Sequence, residues 1–423
     1  PHPKEIVNLV SEESPPVADR PDVDGDTWKD DVDLTHLPSE KRDAIYQLLG
    51  KHRHMWDGRL GRVHATEHRI DLNPVSKPVH AQTYRAKPRA REMDTQEVYL
   101  MLKAGVIESA STEWASPVVL VPKPDGTMRF CVDYRKLNEM TIRDTYPLPR
   151  MDECIDSLGN ARIFSTLDCN CGYWQIPLAT GDTDKTTFTC HEGTYRFLRM
   201  PFGLRNAPAT FQRTVDIVLS GLKWKTCLVY LDDIIVFSNT EYDHFRHLEE
   251  VLSLLYGAGL SLKLKKCPFF KDTVDYLGHV IRPGKLEVAV KNTEALRNAR
   301  PPVNQTELRS FIGLCNVYRR FVPGFAKIAA PLNTLLKKGE SPNIGEFSTD
   351  QLGAFNALRE KLLHPPVLAL PRADGRYILD TDASAEQIVC FLLQEYADKT
   401  KHSIGLWSRS LNAAERNYST TEK

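Results

Sequence analysis

The sequence lacks an apolar run long enough to span a lipid bilayer, and its N-terminal region lacks the hydrophobic segment of a secretory signal. We therefore expect no membrane partner. Disulfide and zinc frameworks are missing too, because the nine cysteines form no C-x-x-C pair and no cysteine–histidine set has zinc-finger spacing. Cys169 and Cys171 make only a C-x-C, so we interpret the cysteines as reduced residues in a reducing compartment.

An excess of charge of either sign is also missing, since 55 lysines and arginines balance 55 aspartates and glutamates. Binding to nucleic acid would therefore depend on local patches and not on overall charge. The apolar share of 41% and the charged share of 26% are typical of a globular protein. A chain of 423 residues exceeds what one core supports, which predicts two to four units.

The first 36 residues are polar and acidic, and we expect them to form a flexible lead. The chain begins Pro1-His2-Pro3 without a start methionine, which indicates a processed or trimmed polypeptide. After this lead the pattern predicts a helix with Ser39 as its N-cap, and a second helix from Met93 to Ala104.

A run of cations with little acid among them precedes the second predicted helix, from Lys77 to Arg91. It includes Arg85 and Lys87 and is a candidate strip for contacting nucleic acid phosphates. An ordinary solvated face explains any single residue of this run equally well.

A hairpin is predicted where the strands Ser116–Pro122 and Met128–Asp133 flank a Lys-Pro-Asp-Gly turn. Lys123 and Arg129 lie near its tip, and two projecting cations suit the binding of a triphosphate. Ordinary surface charge is the alternative explanation.

A second hairpin is predicted around the stretch Tyr230-Leu-Asp-Asp233, which lies between two apolar, β-prone runs. Asp232 and Asp233 would leave the hydrophobic layer at the turn and occupy one small volume. Adjacent carboxylates raise each other's pKa unless a cation neutralises them, and their hard oxygen atoms suit Mg²⁺. Taken alone, an Asp-Asp pair more often means only that aspartate tolerates turns.

A third acid, Asp168, ends the apolar strand predicted from Ile163, which is a common position for a metal ligand and also for a helix cap. Farther on, Gly203 gives the backbone freedom before a helix with Asn206 as a candidate cap, and the face that begins at Phe211 is interpreted as core. The later elements expected from periodicity are helices at Glu241–Tyr256, Thr306–Tyr318, Ala329–Leu336 and Phe355–Leu363 and strands at Tyr276–Ile281 and Tyr377–Asp382.

These pieces occur in an order that resembles the reverse transcriptase of gypsy-type LTR retrotransposons, a retrovirus-like family. The resemblance covers roughly residues 40 to 423. The motifs that carry it are Val121-Pro-Lys-Pro-Asp-Gly-Thr-Met-Arg129, Val132-Asp-Tyr-Arg-Lys-Leu-Asn138, Leu167-Asp168 with Gly172-Tyr173, Met200-Pro-Phe-Gly-Leu-Arg-Asn-Ala-Pro208, Tyr230-Leu-Asp-Asp233, Lys266-Cys267 and Tyr276-Leu-Gly-His279.

The resemblance implies an α+β fold, namely a right-hand polymerase of fingers, palm and thumb with an antiparallel palm sheet, followed by a partial RNase H-like α/β domain. The implied bounds are 37–161 for the fingers with the first part of the palm, 162–284 for the palm with 183–199 returning to the fingers, 285–342 for the thumb, and 343–423 for a tether and the truncated RNase H-like domain.

The activity implied by the resemblance is RNA-directed, and also DNA-directed, DNA synthesis. Asp168, Asp232 and Asp233 would hold two Mg²⁺ ions, for which Mn²⁺ can substitute. Lys266 resembles the family's lysine that protonates the leaving pyrophosphate, although a phosphate-facing surface lysine is an equal alternative. The residues implied to bind the nucleotide are Lys123, Arg129, Cys169, Tyr173, Phe202 and Gly203.

Two of these implied roles are specific. Tyr173 would lie under the sugar and exclude a ribose 2′-hydroxyl, with a plain core aromatic as the alternative. Tyr230, Leu277, Gly278 and His279 would contact the primer, with Arg85 and Lys87 on the nucleic acid, although simple packing remains an alternative for Leu277.

The chain departs from the family pattern in two places. Leu167-Asp-Cys-Asn-Cys-Gly-Tyr173 stands where Leu-Asp-Leu-x-Ser-Gly-Tyr is more usual. Asp382 and Glu422 resemble the first two RNase H carboxylates, but the glycines that usually follow the first acid are replaced by Gln387 and Val389. Because the sequence stops before the remaining acids, we expect no RNA cleavage by this chain.

The implied partners are RNA and DNA templates, a nucleic acid primer and deoxynucleoside triphosphates, with a possible homodimer. The implied location is the cytoplasm, within a virus-like particle. Two other hypotheses stay open: a polymerase fold that grips nucleic acid without synthesis, and a structural subunit whose partner does the chemistry.

Overall fold

The computed structural model of the chain describes residues 26–81, 88–122 and 128–419. Most of the predicted acidic lead lies outside these ranges, as do Arg85, Lys87, Lys123 and Glu422, and only the backbone of Arg129 is described. Within these ranges, no helix is both long and apolar enough to cross a membrane.

The described residues cluster into two compact units whose segments alternate along the chain. The first unit comprises residues 26–150, 165–237 and 241–270, and the second comprises 151–164, 238–240 and 271–419. The predicted domain bounds remain predictions.

The helices begin close to where capping signals stand in the sequence. Ser39 is the first residue of its helix and not the predicted cap, because Pro38 occupies the N-cap position. The helix predicted from Phe355 begins earlier, since Ser348 and Gln351 form a reciprocal capping box. In chain order the helices of the described residues are α1 (Ser39–Lys51), α2 (Pro88–Lys103), α3 (Arg135–Met140), α4 (Met151–Asp156), α5 (Ala207–Val218), α6 (Glu241–Gly257), α7 (Val290–Arg297), α8 (Gln305–Val317), α9 (Phe325–Thr334), α10 (Thr349–Leu363) and α11 (Ala413–Arg416).

The strands form four sheets, and most neighbouring strands are antiparallel, in agreement with the predicted α+β class. In chain order the strands of the described residues are β1 (Ile107–Ser109), β2 (Ser116–Pro122), β3 (Met128–Val132), β4 (Ile163–Asp168), β5 (Phe188–Cys190), β6 (Gly193–Phe197), β7 (Cys227–Tyr230), β8 (Asp233–Ser238), β9 (Val274–Tyr276), β10 (His279–Arg282), β11 (Lys285–Val288), β12 (Leu368–Ala369), β13 (Arg376–Ala383), β14 (Gln387–Glu395) and β15 (Lys401–Ser410).

A five-stranded sheet in the first unit has the order β1-β6-β5-β2-β3 and contains one parallel pair, β2 with β5. Phe188 is fully buried at its centre. The rings of Phe130, Tyr195 and Phe197 surround it at centroid distances of 5.5, 5.8 and 5.3 Å. This aromatic cluster fixes the predicted hairpin of β2 and β3 on the rest of the sheet.

The sheet that carries the predicted acids has the order β4-β8-β7. Its apolar residues between Cys227 and Val229 and between Ile234 and Val236 are almost completely buried. A continuous apolar run, without alternating polar residues, is expected for a strand that is covered on both faces. Tyr230 and Asp233, by contrast, lie where β7 ends and β8 begins, so the acids stand at the edge of a rigid, dry layer.

The second unit contains a sheet of order β12-β11-β10-β9 and an antiparallel sheet of β13, β14 and β15. The predicted single strand Tyr276–Ile281 is wrong, because Leu277 and Gly278 form a two-residue turn between β9 and β10. Both residues have positive φ, 47° and 80°, as the type I′ turns of hairpins require.

Two arginine side chains, Arg320, which is buried, and Arg319, which is half-buried, tie the last sheet to earlier segments of the second unit. The Arg320 guanidinium is 7% exposed and donates to Asp156 Oδ1 at 3.0 Å and to the Ile404 carbonyl at 3.1 Å. Arg319 donates to the Ser408 carbonyl at 2.7 Å. A planar, permanently charged group can serve several acceptors at once, so these contacts position β15.

Candidate active site

A tight turn between β7 and β8 carries two of the predicted acids. Tyr230 pairs with Asp233 across the ladder, so Leu231 and Asp232 form a two-residue turn. Leu231 has a φ of 53°, a left-handed conformation that bulky residues rarely adopt. Such strain persists only where surrounding contacts hold it, and it is frequent at functional sites. The predicted hairpin is confirmed, with an acid in its turn.

Asp168 is held at the end of β4 by backbone contacts from the segment around Lys266. The Asp168 carbonyl accepts a hydrogen bond from the Lys263 amide at 2.8 Å, and the Asp168 amide donates to Cys267 Sγ at 3.3 Å. Lys266 Nζ lies 3.2 Å from Asp168 Oδ2. The structure thus brings the predicted Lys266 directly to the predicted metal ligand Asp168.

Gly172 shows how closely Asp232 approaches the segment that follows Asp168. A Cβ atom added at Gly172 would lie 3.3 Å from Asp232 Oδ1 and 2.9 Å from the Phe211 ring. Glycine is therefore required here for space and not for backbone conformation. The turn of β7–β8 and the exit of β4 meet at this point.

The three carboxylates affect one another electrostatically. Partial desolvation, together with the nearby charges of Asp233 and Asp168, raises the pKa of Asp232 to about 6. Desolvation and Asp168 also raise the pKa of Asp233, whereas Lys266 lowers it. The charges of Asp168, Asp232 and Asp233 therefore influence one another, and their convergence on one metal site stays a prediction.

The donor set suits a hard divalent cation. In the part of the chain that the structure describes, no group of three or more His, Cys, Asp or Glu side chains already surrounds a common metal position. Burial is the main cause of the raised pKa of Asp232 and Asp233, and neighbouring carboxylates add to it. Carboxylate oxygens are the ligand type that Mg²⁺ prefers, but the three side chains do not form a closed ligand set here, and their assignment as metal ligands stays a prediction.

The predicted selector Tyr173 is part of an aromatic stack and is 9% exposed. Its ring stacks on Phe202 at 5.0 Å between centroids and contacts Phe211 at 5.5 Å. Burial and the charge of Asp232 raise the pKa of its hydroxyl, which keeps it neutral. Phe202 is 48% exposed and gives the stack an open face.

The loop at Gly203 is fixed by side-chain contacts from α3. Asn138 Nδ2 donates to the Gly203 carbonyl at 2.8 Å, and Asn138 Oδ1 accepts from the Arg205 amide at 2.8 Å. Gly203 has a φ of 92°, which favours glycine. Asn206 is not the predicted side-chain cap, because its side chain bonds to the Ile142–Asp144 segment instead.

The other predicted site residues have a less direct connection to the three aspartates. The Cys169 side chain is buried, and burial raises the pKa of its thiol. In the second unit, His279 is 3% exposed and its Nδ1 lies 3.0 Å from the Leu277 carbonyl. The Gly278 carbonyl accepts from Tyr318 Oη at 2.7 Å. Asp382 is exposed on β13.

Sequence reasoning missed two buried glutamines beside the acids. Gln175 donates to the carbonyls of Asn170 and Ser261 at 2.7 and 2.9 Å and accepts from the Ser261 amide at 2.7 Å, which locks the turn that follows Asp168. Gln212 contacts the β7–β8 turn. For Gln175 the available signal was a long polar residue within an otherwise apolar stretch, whereas Gln212 has polar neighbours and offered no such signal.

Comparison with known proteins agrees with the geometry. The family described as reverse transcriptase (RNA-dependent DNA polymerase) matches residues 121–281, and that described as an RNase H-like domain found in reverse transcriptase matches residues 347–423. The chain is 37% identical over 399 residues to the retrovirus-related Pol polyprotein from transposon 297 of Drosophila melanogaster, and 37% identical over 364 residues to that from transposon gypsy. The alignments cover 92% and 82% of this chain but 37% and 35% of the relatives, so the chain spans little more than a third of their length.

Solved structures show the same fold. Foamy viral protease-reverse transcriptase in complex with dsDNA has a TM-score of 0.82 and 24% identity, over 94% of this chain and 83% of that one. The same viral protein in complex with an RNA/DNA hybrid has a TM-score of 0.80 over 94% of this chain and 53% of that one. The predicted right-hand polymerase fold with an RNase H-like addition is confirmed. The chain therefore contains a reverse transcriptase domain and an RNase H-like domain, and it is similar to the Pol polyproteins of retrovirus-like, gypsy-type transposons.

Proposed function

We propose that this chain is an RNA-directed DNA polymerase that adds deoxynucleotides to a primer 3′-hydroxyl. The observation that supports the proposal is that Asp232, in the strained Leu231–Asp232 turn, closely approaches Gly172 in the segment after Asp168, while Lys266 Nζ lies 3.2 Å from Asp168. In the reaction, the primer 3′-oxygen bonds to the α-phosphorus of the nucleotide while the bond to pyrophosphate breaks. Negative charge develops on the attacking oxygen and on the leaving oxygen of pyrophosphate. The carboxylates of this site would hold cations that offset that charge.

Asp168, Asp232 and Asp233 would hold the two Mg²⁺ ions. When bound, such ions lower the pKa of the attacking hydroxyl and stabilise the leaving oxygen. The chain's own residues set where this happens: the β4–β8–β7 sheet fixes the acids, and Lys266 offsets part of the charge of Asp168 from 3.2 Å. Lys266 is also the group we propose to give a proton to pyrophosphate.

Selection of deoxynucleotides is assigned to Tyr173. Its ring is held by Phe202 and Phe211 and cannot move aside without breaking two aromatic contacts. A rigid ring excludes an extra hydroxyl by volume. Phe202, which is half exposed, is proposed to cover the nucleotide together with Gly203.

The proposed partners are an RNA or DNA template and a primer. Support comes from the relatives' folds, since the similar foamy viral protein is solved with dsDNA and with an RNA/DNA hybrid. Leu277, Gly278 and His279 are proposed to contact the primer through the backbone of their turn, because the His279 side chain is buried. A homodimer and a cytoplasmic virus-like particle are further proposals, which sedimentation of the purified chain and fractionation of expressing cells would test.

The test is extension of a labelled DNA primer on an RNA template with Mg²⁺ and deoxynucleotides. The parent chain should extend the primer, and Asp232→Asn should extend it at least about 100-fold more slowly. Binding of the primer–template should persist in the variant. Binding without extension in the parent would contradict the proposal and favour a module that only grips nucleic acid. Restored extension on mixing Asp232→Asn with a separately inactive chain would instead favour a dimer with divided roles.

A further inference from the structure

One buried amide side chain on α5 makes hydrogen bonds to the backbone at the β7–β8 turn. Gln212 is fully buried. Its Oε1 accepts a hydrogen bond from the Leu231 amide at 2.7 Å, and its Nε2 donates to the Val229 carbonyl at 3.1 Å. Both contacts flank Tyr230, so a single side chain spans the point where β7 enters the turn.

The orientation of this amide is imposed by a carboxylate. Gln212 Nε2 also donates to Asp216 Oδ1 at 2.9 Å, and a carboxylate can only accept. Lys223 Nζ lies 2.6 Å from the same oxygen, while Tyr146 Oη donates to Asp216 Oδ2 at 2.8 Å, so the carboxylate is itself held in place. With the NH₂ group directed to Asp216 and Val229, the carbonyl oxygen of Gln212 must face Leu231.

The contact falls where the backbone is strained. Leu231 is the turn residue with a φ of 53°, and an unsatisfied amide there would add the cost of a lost hydrogen bond to that strain. Asp232 is the next residue, so the direction of its carboxylate follows the Leu231 backbone. A different turn conformation would move Asp232 away from Gly172 and Asp168.

We propose that Gln212 is a positioning residue for polymerisation: its amide fixes the Leu231 backbone and thereby the Asp232 carboxylate. The inference rests on the polymerase function proposed above. Because the proposed effect of Gln212 is on the chain's own backbone, that effect can be measured without the polymerase reaction.

The decisive variant is Gln212→Met, which keeps the length of the side chain and removes both hydrogen-bonding groups. Thr214→Val is the matched control, because Thr214 is fully buried on the same helix and its hydroxyl bonds to Thr66 and to the Thr210 carbonyl, both at 2.8 Å; among the described residues it makes no hydrogen bond to the turn. Two measurements are made on the full chain: steady-state primer extension, and hydrogen–deuterium exchange resolved to the Leu231 amide.

The expected result for Gln212→Met is a kcat lower by roughly 10- to 100-fold with little change in the KM for nucleotide, and faster exchange at Leu231. Thr214→Val should keep the parent's kcat and its slow exchange at Leu231. If Gln212→Met does not fold, Gln212→Asn serves in its place: its amide is one methylene shorter and cannot reach the Leu231 amide, so it should show the same lower kcat and faster exchange.

Three outcomes would overturn the inference. One is parental kcat in Gln212→Met; another is a fall in kcat without faster exchange at Leu231. The third is an equal loss in Thr214→Val, which would mean that any weakening of α5 suffices. An inactive parent chain contradicts the proposed polymerase function instead, and the exchange data alone then decide whether Gln212 holds the turn.

Discussion

Replacing Gly172 by alanine tests the geometry of the site with the smallest possible change. The added methyl would lie 2.9 and 3.0 Å from two atoms of the Phe211 ring and 3.3 Å from Asp232 Oδ1. Phe211 is fully buried, so its ring cannot swing into solvent. Gly172 does not have a positive φ, and alanine is therefore unstrained in its backbone. The conflict is purely one of space, and it is most severe with the Phe211 ring.

The magnitude follows from these distances. Ordinary contact needs about 3.4 Å or more, so the ring must move by roughly half an ångström, at a cost of about 1–3 kcal/mol in stability. Tyr173 packs on the same Phe211 ring and Asp232 Oδ1 lies at the edge of contact, so a shift of the ring disturbs the site, where a misplacement of about 1 Å can cost about 100-fold in rate. We therefore expect Gly172→Ala to lower kcat by roughly 10- to 100-fold while the chain remains folded.

Gly181→Ala is the matched control, because Gly181 also lies in a short 3-10 helix of the first unit and an added Cβ there meets no atom within 4 Å. Primer extension and thermal unfolding are measured for both variants and the parent. If Gly172→Ala were as fast as Gly181→Ala, the close approach of Asp232 to the segment after Asp168 would be refuted.

Two further predictions concern selectivity and acid stability. Tyr173→Ala should reduce the preference for deoxynucleotides over ribonucleotides by about 10-fold or more, measured as a ratio of kcat/KM values. Tyr173→Phe retains the ring and should keep the parent's preference. Equal selectivity in both variants would exclude the ring as the selector. Burial lowers the pKa of His244 to about 3 in the folded chain, so the unfolded chain binds the proton first as the pH falls below about 6.5, and stability is lost on acidification. Between pH 7.5 and pH 5 this effect lowers the free energy of unfolding by on the order of 2 kcal/mol. The variant His244→Gln can still bond to Ser165, and its free energy of unfolding should fall by that much less over the same pH range. The measurement is urea unfolding followed by tryptophan fluorescence. An identical pH dependence in parent and variant would show that His244 is not the group responsible.

The sequence predicted the parts of the site that follow from local pattern. Two apolar runs around an Asp-Asp pair predicted the β7–β8 hairpin, and Ile163–Asp168 was recognisable as a strand that ends in an acid. The convergence of these two elements depended on the family resemblance, because nothing in the spacing between Asp168 and Asp232 sets their distance in space.

What the sequence did not predict lies in tertiary contacts. Gln212 was hidden within a helical stretch interpreted as core, and its role depends on a strand that lies later in the chain. The positive φ of Leu231 could not be read from its identity, since leucine is not a turn residue. Leu277 concealed a turn for the same reason, although Gly278 beside it was the available signal.

Asp168 is the acid of the proposed catalytic centre that lies far from the other two in sequence. The decisive measurement is the single-turnover rate of nucleotide incorporation by Asp168→Asn beside the parent chain, with primer–template binding measured in parallel. We predict a rate at least about 100-fold lower with binding retained. Incorporation at the parental rate would contradict the assignment of Asp168, Asp232 and Asp233 to one catalytic centre.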